Sequence, residues 1–315
     1  MFQLYKKRNF NDLINDTFIF FRLMGKNFFG NYIKIVGGFL LVLLLLVYLV
    51  GNVFFENMFG GMQNYEQQQM LSKYFDDNVV YFIIAGGFCA LLILFISAIT
   101  YAFPIVYLKL MENNNNNNNA PKTTDIIKGL KKSIGKLIVF LLLSTITFLP
   151  IGLLLGSLCV LLMVILIGFP IAIVIFAALS CWISLSLYDY LNNDNGYFTA
   201  MKNGINIMFS KFWVHIGTTA IFYIIAYVIQ GAIFLLFYTI GGAITMMNIE
   251  PGNNQDTFST LGILMLLSLI ISTLVAYFLN NLIMISQGVI YYSGREANEN
   301  NSLQADIDLI GTDFE

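Results

Sequence analysis

Residues 137–188 form a run of 52 residues without one charged side chain. A bilayer core about 30 Å thick is crossed by roughly 20 helical residues. Backbone facing hydrocarbon has to pair within its own helix, so an irregular excess cannot lie in lipid. The run therefore reads as two spans joined by a tight turn, with Gly152, Gly156, Gly168 and Pro170 as candidate breakers and the turn within 155–170. Four further apolar runs, at about 35–55, 79–108, 212–247 and 258–293, raise the number of spans to six. Charged residues make up 11% of the 315, too few to cover the surface of a soluble chain this long. The expected fold class is an all-α polytopic membrane protein with six transmembrane helices and three in-plane amphipathic helices.

Basic residues set the orientation. Of sixteen lysines and arginines, all but Lys73 fall before span one, between spans two and three, between four and five, or after six. Loops rich in Lys and Arg stay on the cytoplasmic side, so both termini are expected there. Thirty-four residues precede the first apolar run and no small-x-small site follows it, which argues against a cleaved leader.

The segments that lead into spans one, three and five share a pattern. Phe10, Ile14, Thr17, Phe21, Met24 and Phe28 recur at helical spacing, as do Ile127, Leu130, Ile134 and Leu137, and again Phe198, Met201, Ile205, Met208 and Phe212. Polar residues flank each stripe, as in helices that lie along a membrane surface. Each segment ends on a small residue and a lysine: Gly25–Lys26, Gly135–Lys136 and Ser210–Lys211. These pairs are the expected elbows into the bilayer, and Lys26, Lys136 and Lys211 the candidate lipid-headgroup contacts. The whole reads as one membrane domain, 1–293, made of parallel repeats at about 10–108, 123–190 and 197–293. An Asn-rich cytoplasmic linker occupies 112–122, and an acidic, loosely held tail occupies 294–315. In that tail Ile307, Leu309, Ile310 and Phe314 are a candidate docking segment.

Residues suited to catalysis are sparse. His215 is the single histidine, so no histidine pair can hold a metal within one chain. Cys89, Cys159 and Cys181 lie inside apolar runs without metal-ligand or disulfide spacing and read as packing residues. Asp189 and Asp194 read as members of a solvated turn rather than an acid/base pair. No catalytic, cofactor or metal residue is assigned. Asn280, Asn281 and Gln287 form a candidate intramembrane polar patch, read as hydrogen bonding between helices or as the wall of a groove. Gly152 and Gly156 form a GxxxG pair expected to pack internally.

One stretch carries a resemblance. Asp194, Gly196, Ala200, Met201, Lys202, Gly204, Lys211, Phe212 and Trp213 follow an acidic Asn/Gly turn, then A-[LM]-K-x-[GS], then a lysine and Phe-Trp entering a span. This resembles six-span bacterial membrane proteins of unknown function, and the membrane domain attached to some glycerophosphoryl diester phosphodiesterases. In the pattern one residue separates the lysine from Phe-Trp; here none does. The resemblance implies a six-span architecture in a bacterial inner membrane. The phosphodiesterase chemistry of those proteins belongs to a separate soluble barrel, so no catalytic residue carries over. The expected function is a non-catalytic membrane scaffold or assembly partner that contacts lipids and a membrane-protein partner, with no nucleic acid and no cofactor. A lipid or amphiphile conduit comes second and a membrane enzyme third.

Overall fold

Seven helices account for nearly all of the described chain. The computed structural model describes residues 2–60, 73, 78–113, 120–163, 168–193, 195–247 and 254–299. The helices are α1 (Phe10–Gly60), α2 (Val79–Asn113), α3 (Thr123–Met163), α4 (Gly168–Asn192), α5 (Tyr197–Ser210), α6 (Phe212–Met247) and α7 (Asn254–Glu299). No strand occurs among the described residues. Six of the seven, all but α5, are long and apolar enough to cross a membrane. The 52-residue run does divide in two, between Met163 and Gly168, and the connection at 164–167 lies outside the described residues.

Helix boundaries correct three expectations. α1 runs unbroken through Gly25–Lys26, and α3 through Gly135–Lys136, so these pairs are not breaks in the helix. Only the third elbow is one: α5 stops at Ser210, and Lys211 takes φ −143° and ψ 63° before α6 begins. The first two amphipathic segments are thus the opening turns of helices 51 and 41 residues long, about 75 and 60 Å at 1.5 Å per residue. The tail is not loose from residue 294: α7 continues to Glu299, and Glu296 is buried. Residues 300–315, with the candidate docking segment, lie outside the described residues, as do 114–119 of the Asn run.

The chain divides into two compact units. One comprises 36–97 and 225–279. Leu41, Leu45, Ile83, Ile84, Phe234 and Leu235 all point outward there, each about 60% exposed or more. Water would penalise so continuous an apolar surface, whereas lipid accepts it. Its interior is closed by Leu40, Leu43 and Leu266, by an edge-on contact of Phe39 with Phe95, and by Gly51, which brings α1 against Leu266.

The other unit comprises 1–35, 98–224 and 280–315, and holds every basic residue except Lys73. Its centre is aromatic. Phe28 of α1 meets Phe103 and Tyr107 of α2 at 4.9 and 5.0 Å, edge-on, and all three are fully buried. Edge-to-face pairs add about 0.5–1.5 kcal/mol beyond the area they bury. Polar pins fix the register: the Tyr32 and Thr100 hydroxyls lie 2.9 Å apart, and Tyr107 donates to Asn27 Oδ1. Asn31 donates to the Pro121 carbonyl and accepts from Thr123, which ties the start of α3 to α1. The inward face of α1 is therefore rotated from the expected stripe. Leu13, Thr17, Phe20, Phe28 and Tyr32 are buried, while Phe21 and Met24 are only half-buried.

Candidate functional site

A cluster of hydrogen-bonded polar side chains gathers at the C-terminal end of α4. The turn expected to be solvated is instead a buried knot, because α4 runs on to Asn192 and leaves Asp189 only 4% exposed. A buried carboxylate is costly unless donors replace its water. Four do so: Asn193 Nδ2 at 2.7 Å and the Tyr291 hydroxyl at 3.3 Å on Oδ1, Asn195 Nδ2 at 2.9 Å and Asn203 Nδ2 at 3.0 Å on Oδ2. One side chain thereby ties α4, its following loop, α5 and α7 together. Tyr188, one residue earlier, stacks on Tyr291 and donates to the Met284 carbonyl at 2.7 Å.

Two lysines close the end of α4. Lys109 Nζ donates to the carbonyls of Leu191 and Asn192 at 3.0 and 2.8 Å, and Lys136 Nζ reaches that of Asn193 at 3.5 Å. Terminal carbonyls of a helix lack intrahelical partners and carry partial negative charge, so an ammonium there satisfies both needs. Lys136, a candidate headgroup contact, is thus engaged with protein. Lys211 is too, donating to the Arg8 carbonyl at 3.0 Å, whereas Lys26 is exposed on α1.

Arg8 anchors the segment that precedes α1. Its side chain is fully buried, with Nε 2.8 Å from Asp16 Oδ2 and the remaining nitrogens donating to the carbonyls of Gln3, Leu4 and Lys6. Burial lowers its pKa from the ordinary arginine value, against the opposing pull of Asp16; a guanidinium so placed still keeps its charge. The Arg8 amide donates to Ser293 Oγ of α7. Tyr5 donates to Glu112 Oε1, which also lies 3.6 Å from Arg295, and Tyr292 donates to Oε2. The Arg295 guanidinium lies over both Tyr5 and Tyr291. Sequence reasoning missed this cluster, because residues 5, 112 and 292–295 have no pattern linking them in the chain. The Asp189 knot did leave a trace: three of its four donors are asparagines within fourteen residues of it.

His215 takes no part in either cluster. It is buried with Nδ1 3.3 Å from the Met208 carbonyl, a contact that requires the proton on Nδ1. Asp189 and His215 have separate partners, and Asp194 lies outside the described residues. Among the described residues no three His, Cys, Asp or Glu side chains converge as metal ligands.

The intramembrane amides do not share one face. Asn281 and Gln287 are fully buried and Asn280 half-buried. Six positions on a helix leave Asn281 and Gln287 about 120° apart, on different seams. Gln287 Nε2 donates to Thr219 Oγ1 at 3.0 Å, and Thr219 donates to the His215 carbonyl, while Gln287 Oε1 makes no hydrogen bond. The GxxxG pair is not packed internally: a methyl group added at Gly152 or Gly156 would meet nothing within 4 Å.

Six helices long and apolar enough to cross a membrane define the class: an all-α, multi-pass integral membrane protein. Comparison of the chain with family models, characterised proteins and solved structures finds no match.

Proposed function

We propose that the chain is a non-catalytic scaffold or assembly partner in the bacterial cytoplasmic membrane, with both termini cytoplasmic, in contact with lipid headgroups and with a partner membrane protein. The observation that carries this reading is the Asp189 knot. The buried Asp189 carboxylate is saturated by four donors, and its role is to hold α4, α5 and α7 in one arrangement. His215 and Arg8 are likewise engaged in holding backbone carbonyls. Rigid polar joints of this kind suit a surface that has to keep its shape for a partner. The resemblance to phosphodiesterase-linked membrane domains supports the bacterial inner-membrane setting.

Purification from native membranes in mild detergent tests the reading. A stoichiometric membrane-protein partner is expected; a solitary monomer carrying bound lipid would overturn it. The amphiphile conduit has one observation in its favour, the Gln287 Oε1 acceptor left without a donor deep in the bundle. Replacing Asn280 and Asn281 together with leucine separates the two readings. A scaffold keeps its partner after this change, whereas a conduit loses flux.

A further inference from the structure

α5 presents a face that no described residue of the chain covers. Phe198, Phe209 and Trp213 are 78%, 58% and 72% exposed, far more than large aromatics tolerate in water when they are grouped. At 100° per residue, Phe198, Lys202 and Phe209 fall within about 40° of one another, and Thr199, Asn206 and Ser210 form an adjoining polar strip. The exposed face is therefore divided, aromatic along one edge and polar along the other.

α5 cannot roll to hide that edge. Its opposite side is locked by Gly204, where an added methyl would sit 2.7 Å from the Ser186 backbone nitrogen, and by Ile207 against Gly294 of α7. Trp182 Nε1 also donates to the Met201 carbonyl at 3.0 Å. The aromatic edge continues across the break at Lys211: Phe209 stacks on Phe212 at 5.3 Å, and Phe212 meets Trp213 edge-on at 5.1 Å. Trp213 then opens α6, one of the six helices suited to cross the bilayer. Trp at the mouth of a span favours the headgroup level, and a basic residue beside exposed aromatics favours anionic lipid.

We propose that α5 and the first turn of α6 form a membrane-surface anchor, in which Phe198, Phe209 and Trp213 enter the acyl boundary of an anionic leaflet and Lys202 meets its headgroups. This deepens the lipid-contact part of the reading above, and moves that contact to α5 from Lys136 and Lys211, which are engaged with backbone carbonyls. Continuity with a membrane span selects lipid over a protein partner as the occupant.

Depth measurement on the full chain in phosphatidylglycerol/phosphatidylcholine vesicles tests it. Spin labels are placed through Phe198→Cys, Phe209→Cys, Thr199→Cys and Asn206→Cys, after Cys89, Cys159 and Cys181 are replaced with alanine. Labels at 198 and 209 should collide with oxygen in preference to a water-soluble nickel chelate, and labels at 199 and 206 should show the reverse. Equal nickel access at all four sites overturns the anchor. Shielding from both reagents at all four would mean a protein covers the face, and overturns it too. A second measurement keeps the cysteines. In Trp182→Phe, Trp213 is the sole tryptophan, and shallow bromines on phosphatidylglycerol diluted in phosphatidylcholine should quench it. Adding Lys202→Gln should lower its enrichment for that lipid about fivefold. Absence of quenching overturns the anchor. A missing protein partner would sink the scaffold reading and leave these depth profiles unchanged, so the two failures are distinguishable.

Discussion

Gly204 and Gly152 are the same residue type in helices of one bundle, yet their neighbours give them opposite roles. An added methyl at Gly204 meets backbone of Ser186, which cannot rotate away; at Gly152 it meets open space. Gly204→Ala should therefore lower stability by about 1–3 kcal/mol through overpacking. Gly152→Ala should be neutral or raise it by up to about 1 kcal/mol through helix propensity. Thermal melting of the two variants in the same detergent reads the contrast, and equal melting points would contradict the α4–α5 contact. Asp189 admits a sharper test at the same scale. Asp189→Ala strands the buried Tyr291 hydroxyl and three half-buried amides, and a buried donor left without its partner costs about 1–3 kcal/mol. Severe loss of folded protein is expected. Asp189→Asn, which can still accept, should retain more fold than the alanine variant when both are followed by size-exclusion chromatography. Single residues were the least legible scale in sequence. The spacing of Asp189 from Asn193, Asn195 and Asn203 is as compatible with a wet turn as with a buried knot.

At the scale of elements, helix type was legible and helix ends were not. Apolar runs longer than a bilayer needs leave the backbone no alternative to helix, which is why six spanning helices were predictable. Where each begins depended on short-range chemistry instead. α1 starts at a reciprocal cap, in which the Asp12 amide donates to Asn9 Oδ1 at 2.9 Å and Asp12 Oδ2 accepts from the Asn9 amide at 3.1 Å. Asp12→Ala should cost about 0.5–2 kcal/mol and should fray the first turn, seen as faster amide exchange at residues 10–13. The Gly-Lys pairs misled because glycine within a helix is a modest penalty, about 1 kcal/mol, that neighbouring apolar turns outweigh. At Lys211 the outcome differs. Gly204, Ile207 and the Trp182 bond hold α5 on α4 and α7, so the chain has to change direction before α6.

For the whole molecule, the uneven placement of charge gives a test of orientation. Every basic residue but Lys73 belongs to one of the two units. The proposed topology places residues 2–9 and 193–196 on the cytoplasmic side and 248–253 on the opposite side. Alkaline phosphatase fused after residue 250 should be active in cells, and fused after residue 195 inactive; the reverse result would invert the protein. The same scale separates what the sequence determined from what the tertiary structure decided. Hydrophobic length and charge bias act through the solvent, whether lipid or water, and need no knowledge of neighbours. They determined the fold class, the number of spans and the expected sidedness. Burial of Asp189, capture of Lys109, Lys136 and Lys211 by carbonyls, and docking of Arg8 between Asp16 and Ser293 depend on residues separated by up to 285 positions. Such contacts leave no local period, because a hydrogen bond between helices constrains two side chains and nothing between them. Only the packed structure could choose which polar residues face one another and which remain for the membrane.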